Sequence, residues 1–198
     1  CTHELIDTIR DCEKVSRHLH LPFQSGSDRI LKRMNRRYDR EKYLELVNYA
    51  KEQIPGLSLT SDIIVGFPDE RDEDFRGTID LVKRVGYYSL FTFIYSPREG
   101  TPAAAMEDPV TRAEKGKWFA ELLAAQEEIA AENEQKLIGT SHRLLCDAKG
   151  TVDGYMSGHS EGTAVVEFPG DESMIGKFIN VRIEECDGVF KGKIITEE

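Results

Sequence analysis

At 198 residues, 39% of them apolar, the chain is long enough for one large domain, or for a domain with a small appendage, around a real core. Its formal net charge of −10 argues against bulk electrostatic binding of nucleic acid and leaves any such binding to a local patch. No run of about 18 apolar residues exists to span a membrane, and the charged opening CTHELIDTIRDCEK does not read as a secretory signal.

In chain order, residues 4–15 are amphipathic, with Leu5, Ile6, Ile9 and Cys12 at helical spacing. Residues 18–22 read as a short strand that breaks at Pro22 into Gln-Ser-Gly-Ser-Asp. Ser27 can cap a following helix whose buried stripe is Ile30, Leu31 and Met34. That helix opens a basic run, residues 29–40, holding Arg29, Lys32, Arg33, Arg36, Arg37 and Arg40 against a single acid, Asp39. A charge run alone is most often a solvated face. A helix over 41–53 stops at Pro55-Gly56, and LSLTSDIIVGFP follows with the continuously apolar Ile63-Ile64-Val65 of a parallel strand covered on both faces. Residues 72–85 are helical, SLFTFIYSP reads as a further buried strand, and 111–138 form one long helix. The repeated order of helix and strand predicts an α/β fold of parallel βα units.

From Gly139 the pattern changes. Five short strands are predicted over 142–147, 152–157, 163–168, 178–185 and 189–195, separated by turn signals. Five strands in about 60 residues point to a small antiparallel barrel of the oligonucleotide-binding kind. Two domains are therefore expected, 1–138 and 139–198. The four cysteines, Cys1, Cys12, Cys146 and Cys186, have no ligand spacing, so neither a metal site nor a disulfide framework is expected, and a reducing cytoplasm suits them.

Parallel α/β folds bind ligands at the carboxyl ends of their strands, which here read PFQSGSD, VGFPDE and YSPREGTP. Gly66 allows close backbone approach, and Ile64 and Phe67 can flank a flat ring. Gln24, Ser25, Asp62 and Ser96 can hydrogen-bond ribose or amino-acid groups, and Arg98 can pair with a carboxylate or phosphate. A rival reading is a zinc site from His18, His20 and Asp62, which lacks a further histidine at a strand end.

The runs HLHLPFQSGSDRILKRMNRRY, TSDIIVGFPDE and FTFIYSPREGTPAA resemble the fourth to sixth strand regions of the radical S-adenosylmethionine methylthiotransferases. VVEFPGDESMIGKFINVRI resembles the TRAM domain that ends that family's chains. The Gln-Ser-Gly-Ser-Asp elbow and YSPREGTPAA are similar to the tRNA-modifying, MiaB-type branch. The resemblance implies the C-terminal half of a partial, TIM-like barrel followed by an OB-like TRAM barrel, in an enzyme that adds a methylthio group to C2 of N6-isopentenyladenosine beside the anticodon. It implies S-adenosylmethionine near Gln24 and Ser25, and an anticodon stem-loop against Lys32, Arg33, Arg36 and Arg37, with Arg143, Lys177 and Arg182 as RNA contacts on the small barrel.

The family's two [4Fe–4S] clusters need a Cys-x3-Cys-x2-Cys motif and three further cysteines, and this sequence has none of them. The chain is thus expected to be the C-terminal part of the enzyme, without clusters, inactive alone, and partnered by the N-terminal cluster-binding part. Two positions depart from the family pattern: Asp69 stands where glycine is usual, and Gly158-His159-Ser160 replaces Gly-Arg-Thr. Two alternatives remain open at this stage. One is a methylthiotransferase acting on a ribosomal protein, which the acidic small barrel would suit, and the other is a non-catalytic RNA-binding remnant.

Overall fold

The computed structural model describes residues 1–195. The chain forms two compact units, one of residues 1–12 with 19–130, the other of 13–18 with 131–198.

The first unit contains α1 (His3–Asp11), α2 (Asp28–Arg33), α3 (Arg40–Gln53) and α4 (Asp72–Val85), with strands β2 (Ser58–Val65) and β3 (Ser89–Ile94). Strand β1 (His18–His20) leads into it. The strands lie in the order β1-β2-β3. β2 and β3 are parallel, in register from Thr60↔Ser89 to Val65↔Ile94. The chain leaving β1 stays on β2: Leu21 donates to the Thr60 carbonyl, Gln24 donates to Asp62 and accepts from Ile64. Side chains alternate across β2, so Leu59, Ile63 and Val65 enter the helix-covered core with Phe23, Phe75, Leu81 and Tyr87. The long α5 (Arg112–Leu137) adds Leu122 and Ile129 to that core. The Tyr87 hydroxyl is satisfied by Tyr43 at 2.7 Å, and Tyr43 by the Leu21 carbonyl at 2.9 Å.

Two features differ from expectation. β3 is not buried on both faces, because Phe91 and Phe93 are 54% and 53% exposed while Leu90 alone of its apolar residues packs on the core. The strand is an edge, helix-covered on one side only, and its apolar run therefore does not mean burial. The basic helix is also shorter than its charge run. Asn35 turns into the left-handed region at φ 58°, which asparagine tolerates, so α2 ends at Arg33 and Arg36 and Arg37 lie beyond it.

The second unit is a closed barrel of β4 (Ser141–Lys149), β5 (Tyr155–His159), β6 (Val165–Pro169), β7 (Phe178–Cys186) and β8 (Phe190–Ile194), ordered β4-β5-β6-β8-β7. It is mixed, not wholly antiparallel, because β6 and β8 pair in parallel through Val166↔Phe190 and Glu167↔Lys191. A ring with an odd number of strands cannot alternate direction at every neighbour, so one parallel pair is unavoidable. Its core is Leu144, Met156, Val166, Phe168, Val181 and Ile183. The buried carboxylate of Glu167 is satisfied by the Thr151 amide at 2.7 Å and hydroxyl at 3.0 Å. Residues 13–18 join this unit through Arg17, whose amide and guanidinium bond Glu161.

The elbow after β1 is clamped to α4. The Gly26 amide donates to Thr78 Oγ1 at 2.8 Å, and a Cβ on Gly26 would fall 2.3 Å from the Thr78 backbone. Only hydrogen fits there. Gly26→Ala must force the elbow away from α4, and a loss of about 2–3 kcal/mol is expected in chemical denaturation; an unchanged midpoint would show that the approach is not tight.

Candidate functional site

Three chain segments leave the carboxyl edge of the sheet. At the first, Gln24 holds φ 77°, which is costly for a non-glycine residue and is fixed here by its two backbone bonds to β2. Phe23 N–H donates to Ser61 Oγ, which itself donates to the Leu21 carbonyl, both at 2.9 Å. Ser25 is fully buried and Gln24 6% exposed, so these two candidates lie under the surface of the elbow.

Ser27 accepts from the Ile30 amide to cap α2 and donates to Asp74 Oδ1 at 2.5 Å. Asp74 also receives Arg29 and, at 2.9 Å, the Arg71 amide. Burial pushes the Asp74 carboxyl up, but these donors outweigh it and hold it below the ordinary carboxylate range. Arg29 reaches on to Asp69 Oδ2 at 2.7 Å, and Arg33 lies 3.5 Å from the same oxygen. Asp69 itself sits at φ 67°, in the left-handed conformation that a glycine would take without strain. Asp69 is retained there with two arginines as its partners.

The second segment is Gly66-Phe67-Pro68-Asp69-Glu70, and two of the residues that organise it lie outside the sequence-based candidates. Glu70 is 1% exposed and accepts both the Gly66 and Phe67 amides on Oε2. Burial pushes its carboxyl up to about 7, partly offset by those two donors. Lys115, from α5, is 5% exposed, lays its stem over Gly66, and pairs with Asp108. Gly66 has φ 74°, and a Cβ there would fall 2.4 Å from Lys115 Cδ. The spacing Gly-x-x-x-Glu was the available signal for Glu70; Lys115 is nearly fifty residues away from Gly66 in sequence and had none. Phe67 is buried edge-on against Tyr95, ring centroids 5.2 Å apart. The third segment leaves Ser96 and Arg98 exposed beyond β3, with the Arg98 carbonyl taken by Thr101.

The sheet face away from the helices brings together a different set. Asp62 pairs with Phe91 and Ile64 with Phe93 in register. His20 approaches Asp62 through Nε2 at 3.5 Å, Thr60 Oγ1 through Nδ1 at 2.9 Å, and Phe91 edge-on. Both imidazole nitrogens thus have partners within the sheet. Among the described residues no three His, Cys, Asp or Glu side chains converge as a metal site. A partly open face that joins a carboxylate and an imidazole to Ile64 and two aromatic rings does suit a nucleoside, with rings for a base and polar groups for ribose.

Comparisons with known proteins bear on the family and the fold. Residues 1–82 match the model of the radical SAM superfamily. The chain is 46% identical over 198 residues, 99% of its length, to the tRNA-2-methylthio-N(6)-dimethylallyladenosine synthase of Alkaliphilus oremlandii, and 49% identical over 181 residues to that of Acetivibrio thermocellus. The chain belongs to the radical S-adenosylmethionine methylthiotransferases. It spans 42% and 38% of the lengths of those two relatives. The fold is shared with coproporphyrinogen III oxidase (HemN) of Escherichia coli, described as a radical SAM enzyme, at TM-score 0.56 and 18% identity, over 81% of this chain and 44% of that one. No helix among the described residues is long and apolar enough to cross a membrane.

The RNA candidates of this family member divide by partner. Arg33 is committed to Asp69, whereas Lys32, Arg36 and Arg37 are exposed and have no ion pair among the described residues. On the barrel Arg143, Lys177 and Arg182 are exposed.

Glu70 supplies a pH signature. Its folded-state pKa, about 7, exceeds the ordinary 4.5, so the folded protein holds the proton longer and its stability falls as pH rises between those values. Relative to Glu70→Gln, the wild type should lose on the order of 2 kcal/mol between pH 5 and pH 8 in urea titrations. Parallel curves for the two proteins would refute a raised Glu70 pKa.

Proposed function

We propose that this chain is the C-terminal part of a tRNA methylthiotransferase, in which the open face of the β1-β2-β3 sheet holds the S-adenosyl group and the elbow after β1 faces the anticodon stem-loop. The observation that carries this reading is identity of 46% across 99% of the chain with a synthase named for that modification. The sheet face supports it by offering Asp62 and His20 beside Ile64, Phe91 and Phe93 at the strand ends where parallel folds bind ligands. When bound, S-adenosylmethionine would supply the radical and methyl chemistry of the family. This chain's residues would orient it: Asp62 toward ribose hydroxyls, Ile64 against the adenine, and the Gly66 turn, held by Glu70, as a close backbone wall.

The end of α2 and the residues after it offer exposed Lys32, Arg36 and Arg37 to phosphates, which position an RNA without reading its sequence. The target adenosine must leave its stack to reach a recessed pocket, at a cost of a few kcal/mol.

Charge reversal of Lys32, Arg36 and Arg37 together should reduce the slope of log affinity against log salt for an anticodon stem-loop by about 2 to 3, whereas Arg33→Gln should lower stability and leave that slope nearly unaltered. Equal slopes for the triple variant and wild type would overturn the assignment of this patch to RNA.

A further inference from the structure

One cation of the basic run is held by an aspartate whose backbone conformation is unfavourable to it. Asp69 lies in the turn after β2 at φ 67°, where an L side chain is strained and glycine is not. Its carboxylate has two partners, both from α2: Arg29 at 2.7 Å and Arg33 at 3.5 Å, on the same oxygen. Those arginines stand at i and i+4, so they share one helix face. The Arg29 hydrogen bond, with burial opposing it, holds the Asp69 carboxyl below the ordinary carboxylate range. The charge is therefore present at neutral pH.

The two arginines depend on Asp69 to different degrees. Arg29 is also bound by the Asp74 carboxylate and, at 2.5 Å, by the Asp69 main-chain carbonyl, neither of which needs the Asp69 side chain. Arg33 has no second carboxylate among the described residues. Its other neighbour is the Met106 sulfur at 3.7 Å, a weak acceptor. The Arg33–Asp69 pair is also open to water, with side-chain exposures of 36% and 32%. Lys32 precedes Arg33 directly and Arg36 follows the turn at Asn35, both exposed and without an ion pair among the described residues. Loss of the Asp69 carboxylate would therefore release Arg33, and not Arg29, into the open part of the basic patch.

We propose that Asp69 sets the affinity of this patch for RNA: its carboxylate occupies the place of a backbone phosphate on Arg33 and keeps that guanidinium out of the contact made by Lys32, Arg36 and Arg37. A guanidinium meets carboxylate and phosphate oxygens through the same N–H donors, so one excludes the other. A half-exposed ion pair contributes little stability, and the left-handed backbone takes some away, so stability alone accounts poorly for an aspartate in this turn. The proposal rests on the tRNA reading above and adds to it the residue that limits how firmly the patch holds its RNA. A weaker hold favours release of the product, the step that limits turnover in many enzymes.

The test is binding of an anticodon stem-loop by the full chain across a salt series. Asp69→Gly should tighten binding about 3- to 10-fold at about 0.1 M salt and steepen the slope of log affinity against log salt by about 1. Arg33→Gln in the Asp69→Gly background should return the slope to the wild-type value, whereas the same change in wild type leaves it nearly unaltered. A merely structural Arg33 would not give that dependence on background. Asp69→Asn removes the charge and tolerates the left-handed backbone, so it should steepen the slope even if Asp69→Gly folds poorly. If both variants keep the wild-type slope while reversal of Lys32, Arg36 and Arg37 lowers it, the proposal is overturned and the tRNA reading stands. If the slope steepens but Arg33→Gln does not reverse it, the gain comes from the lost Asp69 charge alone and the role given to Arg33 is overturned. If wild type binds no stem-loop, the tRNA reading falls and the proposal falls with it.

Discussion

The carboxylate of Asp74 fixes the geometry on which the first unit's strand ends depend. At the start of α4, it takes the Ser27 hydroxyl, the Arg29 guanidinium and the Arg71 amide. Through Ser27 it sets where α2 begins, and through Arg29 it reaches Asp69 in the turn after β2. Two of the three strand ends are thus tied to one buried acid. Charged hydrogen bonds in a low-dielectric setting are strong when every member is satisfied, and removal of one partner strands the others. The contact of Gly26 with Thr78 completes the clamp by steric means.

The same arrangement explains how an acidic protein carries a dense basic run. Arg29 and Arg33 share Asp69, and Arg40 reaches Asp80, so half of that run is structural. The residues left over are Lys32 in the last turn of α2, and Arg36 and Arg37 beyond its end, after the left-handed Asn35. The barrel repeats the pattern with Lys149, Lys191 and Lys193 paired and Arg143, Lys177 and Arg182 open. Net charge thus describes neither surface; what matters is which cations the fold leaves without a carboxylate.

The turn after β2 shows a comparable division of labour. Glu70 is buried to hold two amides of the Gly66–Phe67 turn, and Lys115 packs its stem over Gly66. A glutamate buried this deeply ionises reluctantly.

Much was legible from residues alone. The helix over Asp72–Val85 and the apolar Ile63-Ile64-Val65 strand follow from periodicity, and the change of pattern at Gly139 follows from the density of turns, because these are local signals of backbone preference and burial. The family was legible from long motifs in order. What the sequence could not determine were properties of pairing. Phe91 and Phe93 look like core residues until the packing leaves their face of the sheet without helices. Arg33 looks equivalent to Lys32 until Asp69 arrives from the turn after β2. The parallel β6–β8 pair comes from closing a ring of five. Local chemistry is written along the chain, whereas partners far apart in sequence meet only when tertiary packing selects them.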